Sequence, residues 1–195
     1  MKRIWLMGFL ILFSSVSLIF FPFRSFAGDY YISIKPGVYI PDYNHAFLID
    51  ETFDTGPNFE FVFGKYVNRN LAGELGAGYF QTKGEIAPSR TGLKEQVFDI
   101  FYTLKGLIPI GPVELYGGGG FGVYISKASI YPDHEVNTNL GLHALVGGIF
   151  NIDERLFVGL EGKYVWSSAS FSNGSVTKDA QLDGIFVNAV LGWKF

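Results

Sequence analysis

The residues able to do chemistry in this chain are few, and their surroundings decide what they are for. Gly117 to Gly122 (GGGGFG) has the G-x-G-x-x-G spacing that lets a backbone approach a pyrophosphate. That use needs a strand before the glycines, a helix after them and a βαβ unit around them. No helical pattern follows here, so the run reads as small residues inside a strand, with Gly118, Gly120 and Gly122 on one face. In nucleophilic catalysis a histidine activates a serine or pairs with an acid. His143 is followed by Ala144 and Leu145, which leaves no His-x-Ser pair. His45 and His134 fall in polar segments that read as loops, with Asp133 and Glu135 beside His134 as solvated charges. There is no cysteine, hence no disulfide, thiolate metal site, Cys nucleophile or lipoprotein Cys. Asn173-Gly174-Ser175 has the spacing of a glycosylation site but reads as a glycine turn. No enzyme, metal or cofactor is expected.

The remaining polar chemistry is a set of charges that share one side of a two-residue alternation. These are Lys35, Glu60, Glu74, Asp99, Lys105, Glu114, Glu161 and Lys163. Carboxylates such as Glu74 and Glu161 are the groups of acid–base catalysis. Facing lysines and tyrosines, they instead make a salt-bridged structural core, since an unpaired buried charge is costly.

Strands must position these charges. The last segment shows the pattern most clearly. Ile185, Val187, Ala189, Leu191, Trp193 and Phe195 form one apolar phase; Gly184, Phe186, Asn188, Val190, Gly192 and Lys194 form a mixed one. Seven further alternating segments precede it: 28–40, Asn58 to Val67, Leu71 to Lys83, Lys94 to Leu107, Val113 to Lys127, Thr138 to Asn151 and Leu156 to Phe171. Short turns are expected at Asn68-Arg69-Asn70, Ile110-Gly111-Pro112 and Asp153-Glu154-Arg155, and long polar loops over 41–56, 84–93, 131–137 and 172–181. Connections therefore alternate long and short. An even strand number puts the short turns and both termini at one end, which is the asymmetry of transmembrane barrels. Each segment suffices for the ~9–11 residues of a tilted membrane strand.

Phase gives the orientation. Lipid cannot satisfy a charge, so the apolar phase with its crowded Phe and Tyr faces outward and the charged phase inward. Lys65 is the exception: it shares the Phe59, Phe61 and Phe63 phase, close to the Asn68 turn, where its ammonium can reach headgroups. A soluble carrier barrel would invert the two faces.

The chain has 195 residues, and 17% of them are charged. Residues 1–27 read as a cleaved signal peptide: Lys2 and Arg3, an apolar run from Ile4 to Phe23, and small residues at Ser25 and Ala27. Removing them leaves 12 basic and 18 acidic residues over 28–195, a net of −6. Such a balance argues against a nucleic-acid partner. No apolar helical span follows residue 27.

The segments GDYYISIKPGVYIP, LAGELGAGYF, VELYGGGGFGVY, VGLEGKYVW and the terminal LGWKF make residues 28–195 resemble the small eight-stranded outer-membrane barrels, the superfamily of OmpA's membrane domain, OmpX and OmpW. The resemblance implies an all-β, eight-stranded antiparallel up-and-down transmembrane barrel after a cleaved signal peptide. It implies export to the outer membrane of a Gram-negative bacterium and a monomer among outer-membrane lipids and lipopolysaccharide. Leu191, Trp193 and Phe195 would be the signal read by the barrel-assembly machinery. No peptidoglycan-binding domain is expected, since the barrel runs to Phe195. The implied role is structural, or permeation of small and hydrophobic solutes. Surface interaction through the long loops is an alternative, and lipid A modification a further one.

Overall fold

Side chains that alternate between apolar and polar favour a sheet with two unlike faces, and this chain folds as such a sheet closed on itself. The computed structural model describes residues 29–42, 51–86, 91–130, 133–173, 176–181 and 183–195. The expected leader, 1–27, and His45 lie outside them. The strands are β1 (Tyr30–Pro41), β2 (Glu51–Phe53), β3 (Gly56–Asn68), β4 (Leu71–Ile86), β5 (Thr91–Ile110), β6 (Val113–Ile130), β7 (Asp133–Asn151), β8 (Leu156–Asn173), β9 (Val176–Gln181) and β10 (Gly184–Lys194).

Eight of them form a closed antiparallel ring, β10-β1-β3-β4-β5-β6-β7-β8, with β8 pairing back to β10. Paired residues can be followed once around it, from Leu107 through Tyr116, Gly147, Glu161, Asn188, Gly37, Asn58 and Phe80. The path returns to β5 at Val97, a stagger of ten residues (107 − 97). With eight strands that stagger sets a tilt of about 40° and a radius of about 8 Å. The lumen is therefore no wider than its own side chains can fill.

Three expected loops are mostly strand. Pairing continues to Ile86↔Thr91 between β4 and β5, to Ile130↔Asp133 between β6 and β7, and to Asn173↔Val176 between β8 and β9. The expected first loop also contains β2, which pairs with the end of β4. The physical reason is that unlike faces arise only where one face meets lipid. In the sequence of these strand ends the two-residue contrast fades, while the hydrogen-bonded ladder runs on.

The barrel is consequently tall on one side. β5, β6, β7 and β8 have 20, 18, 19 and 18 residues, whereas β1, β3 and β10 have 12, 13 and 11. At the tilt above, β5 rises roughly 50 Å, about twice the ~25 Å apolar band of such barrels.

The outer face carries Phe61, Leu75, Ile100, Leu160 and Leu191, all exposed, while Glu74, Lys105 and Glu161 are buried inside. Tyr30, Phe63 and Phe195 cluster at the short-turn end, with Tyr30 and Phe195 stacked at 6.3 Å. Arg155 lies over the Trp193 ring there. Lys65 keeps to the outer phase but does not reach away from the barrel. Its side chain is buried, with Nζ 5.0 Å from the centre of the Tyr30 ring. The short turns are locally built. Gly111 takes φ +61, Asn68 Oδ1 accepts from Asn70 N, and Asp153 Oδ1 accepts from the amides of Arg155 and Leu156.

Candidate functional site, the filled interior

The interior is layered. At the short-turn end Tyr31, Leu107, Tyr116, Ile149, Phe157 and Val190 pack together, with Tyr66 against them. Lys194 closes this mouth. Its Nζ lies 5.2 Å from the Tyr66 ring and 5.6 Å from the Phe157 ring, and donates to Asn151 Oδ1 at 2.8 Å. Glu114 accepts from the Tyr66 hydroxyl at 3.3 Å.

Above this floor two lysines and two glutamates form a closed square. Lys105 Nζ donates to Glu74 Oε1 at 2.7 Å and Glu161 Oε2 at 3.0 Å. Lys35 Nζ donates to Glu74 Oε2 at 3.3 Å and to both Glu161 oxygens at 2.9 Å. The Tyr31 and Tyr116 hydroxyls add bonds to Glu74 at 2.8 Å and Glu161 at 3.0 Å, and Lys105 Nζ sits 4.0 Å from the Tyr116 ring centre. Charge balances within the square, and the carboxylates are densely bonded, which offsets the desolvation cost of burying them.

A second polar cluster follows. Lys163 Nζ donates to Glu60 Oε1 at 2.5 Å and lies 4.3 Å from the Phe101 ring and 4.8 Å from the Phe186 ring. Asn58 Nδ2 donates to Asn188 Oδ1 at 2.8 Å. Asp99 shares the row Glu60↔Gly78↔Asp99 and closes no ion pair among the described residues. His143 Nε2 lies 2.8 Å from Thr103 Oγ1. The ring fits because Gly120 is beside it; a Cβ there would come within 2.9 Å of the imidazole and collide with the Tyr102 carbonyl.

Tyr39, Phe80, Val97, Tyr124, Val165 and Phe186 cap the interior at the loop end. The Tyr39 ring is 4.5 Å from Phe80 and 4.8 Å from Phe186, and Phe80 meets Phe186 edge-on at 5.0 Å. A small cavity of about 20 Å³ lies in the lower half, between Ser33, Glu74, Lys105 and Tyr116. That is room for about one water molecule, not for a solute.

All eight charged residues named from alternation lie on the inner face. Glu74, Glu161, Lys35 and Lys105 form one network, Glu60 and Lys163 another, and Asp99 and Glu114 stand beside these. Sequence reasoning put Asn188 and Lys194 on the mixed phase but gave no role to them, nor to Asn58 and Thr103. Each shares parity with a named charge or glycine on its strand, so phase alone was a sufficient signal. His143 is in the plug, not at a membrane edge, and the His134 side chain lies outside the described residues.

A closed antiparallel barrel with an apolar exterior and a charged interior is the architecture of membrane-spanning β-barrels. Residues 13–195 match the family model for the outer membrane protein beta-barrel domain, and the chain belongs to this family. Among curated protein sequences none matches significantly. Similar solved structures include the outer membrane protein OprG from Pseudomonas aeruginosa, with TM-score 0.66 and 18% identity over 87% of this chain and 96% of that one. Neisserial surface protein A aligns with TM-score 0.62 and 15% identity, over 88% of this chain and all (100%) of that one. The outer membrane protein AlkL aligns with TM-score 0.55 and 15% identity, over 90% and 95%. At these identities the likeness is one of fold.

Proposed function

We propose that this is a non-enzymatic outer-membrane barrel that does not conduct solutes through its lumen. It serves as a structural element of a Gram-negative outer membrane, reached by export behind a cleaved leader. The observation that carries this reading is the square of Lys35, Lys105, Glu74 and Glu161, closed above and below by aromatic layers. An aqueous path would have to break balanced buried ion pairs and both layers. His143 bonded to Thr103 inside the plug, out of reach of lipid, supports the absence of acyl chemistry. Planar-bilayer recordings and liposome swelling test the reading: no steps and no swelling are expected. Stable ohmic steps from folded protein would replace it with permeation.

A second reading has its own observation. β4 to β8 continue well past the apolar band, which lifts their hairpins away from the membrane surface. A rigid wall of this kind suits contact with surface partners. Loss of adhesion on trimming 42–55 or the β6–β7 hairpin, with the barrel still folded, would favour it.

A further inference from the structure

The upper polar layer of the lumen does not balance its charge. Glu60 and Asp99 are both enclosed by the wall, at 1% and 2% exposure. They reach toward each other over Gly78, the residue that separates them in the ladder. A Cβ on that glycine would lie 2.4 Å from Asp99 Oδ1 and 3.2 Å from Glu60 Cγ, so the two acid arms converge on one point. Lys163 is the ammonium bonded there, to Glu60 Oε1. Lys35, the register partner of Glu60, turns its ammonium to Glu74 and Glu161 instead. Counting the square and this layer together, Lys35, Lys105 and Lys163 face Glu60, Glu74, Asp99 and Glu161, which leaves one carboxylate in excess. His143 does not supply the missing charge. Its Nδ1 is buried without a partner, where an imidazolium would need an acceptor. Three oxygens of the same layer are also buried without a partner: Glu60 Oε2, Asn58 Oδ1 and the Tyr124 hydroxyl. Asn58 is 5% exposed, with its amide 3.4 Å from the Glu60 carboxylate. Tyr124 is 0% exposed and is the register partner of Asp99. Tyr39, Phe80, Val97 and Phe186 close the layer on the loop side, and the square closes it below.

We propose that Glu60 and Asp99, with the Asn58 amide oxygen and the Tyr124 hydroxyl, hold a monovalent cation of the sodium class inside the barrel. Charge sets the valence. A single positive charge balances the excess carboxylate, while a divalent ion would leave a surplus charge in the low-dielectric interior. Donor chemistry sets the class, because carboxylate, amide and phenol oxygens are hard ligands with no thiolate or imidazole among them. The described residues offer no group of three acidic, His or Cys side chains able to hold a metal ion, which again favours an ion of low charge. A proton shared between the two carboxyls would balance the charge too. It would give Glu60 Oε2 a partner and leave Asn58 Oδ1 without one, whereas a cation serves all the orphan oxygens at once. Going beyond a closed lumen, the plug thereby gains a resident ion, captured as the barrel folds around it.

The test uses the full mature chain folded in phosphatidylcholine vesicles, with sodium exchanged for choline at constant ionic strength. A ligand that binds only the folded chain stabilises it by mass action. Well above the dissociation constant, the folding constant is therefore expected to rise roughly tenfold for each tenfold rise in sodium. Asp99→Asn and Glu60→Gln each remove the excess negative charge, and both are expected to fold with no sodium response. Ser33→Ala, in the lower half of the lumen, should keep the wild-type response. Folded wild type desalted into choline should retain sodium in stoichiometric amount, and Asp99→Asn should retain none, as measured by atomic emission. A wild-type folding constant indifferent to sodium, or a wild-type chain that retains no ion, overturns the proposal. So does a sodium response that Asp99→Asn keeps. A stability gap between wild type and Asp99→Asn that changes with pH but not with sodium assigns the excess charge to a shared proton and overturns the cation.

Discussion

Lys35 Nζ meets both oxygens of Glu161 at 2.9 Å across 126 residues of sequence. The two residues sit on β1 and β8, which do not pair with each other; β10 lies between them. The contact therefore straddles the seam where the last strand closes the ring. It ties the first strand to the next-to-last around the strand that joins them, so the buried charges act on closure as well as on filling.

This arrangement makes a single substitution cost more than a joint one. Glu161→Gln leaves Lys35 and Lys105 each short of a buried counter-charge, which should cost about 3–5 kcal/mol. Replacing the whole square, as Lys35→Met, Lys105→Met, Glu74→Gln and Glu161→Gln together, should recover most of that loss, because no uncompensated charge remains. Urea unfolding in lipid vesicles, followed by tryptophan fluorescence, measures both. A quadruple variant no more stable than the single one would show that the square's geometry, and not its charge balance, is what matters.

The orientation of the sheet can be read from the outside. Ala77 lies mid-band on the outer face, between Phe61 and Ile100 in the ladder, and Val67 lies beside a short turn. Ala77→Arg should cost ~2–4 kcal/mol and Val67→Arg ~0–1, because a charge is expensive at the bilayer centre and tolerated at its margin. Small and equal effects at the two sites would place water, not lipid, around the barrel.

Much of this was legible in the alternation alone. Eight segments, their faces and the inward charges follow from side-chain parity, because a barrel wall gives every second residue the same surroundings. The strand ends were not legible because the sequence from Gly84 to Leu93 shows no two-residue alternation, yet the ladder continues through Gly84↔Leu93 and Ile86↔Thr91. Pair partners inside the lumen also escaped. Lys35 reaches Glu161 past an intervening strand, and that reach depends on the ten-residue stagger, which no local pattern encodes. The partners of Glu60 illustrate the same limit, since Lys163 lies 103 residues away.

Interior glycines separate packing from folding propensity. At Gly120 a Cβ would strike the Tyr102 carbonyl and the His143 ring, whereas at Gly162, on the outer face, it would meet nothing within 4 Å. Gly120→Ala should therefore destabilise by about 1–3 kcal/mol through overpacking. Gly162→Ala should be neutral or slightly stabilising, within about 0.5–1 kcal/mol, since it only restricts the unfolded chain. Unfolding midpoints of the two variants compare the sites directly. Equal losses would mean that strand propensity, and not the filled lumen, fixes the glycines.

The Asp153 turn offers a pH-dependent test outside the membrane span. Its carboxylate accepts from the Leu156 amide at 2.6 Å and the Arg155 amide at 2.7 Å, and these bonds hold it below the usual carboxylate range. A group depressed in the folded state contributes stability above its unfolded value of about 3.9, and loses it as pH falls through the lower folded value. The stability gap between the native chain and Asp153→Ala should thus be constant from pH 7 to pH 5 and narrow below about pH 4. Asp153→Asn keeps an acceptor without the charge, so its own gap to Asp153→Ala should not change with pH. Denaturation curves at pH 7, 5 and 3 distinguish the cases, and a native-to-alanine gap still full-sized at pH 3 would exclude the carboxylate charge as the source.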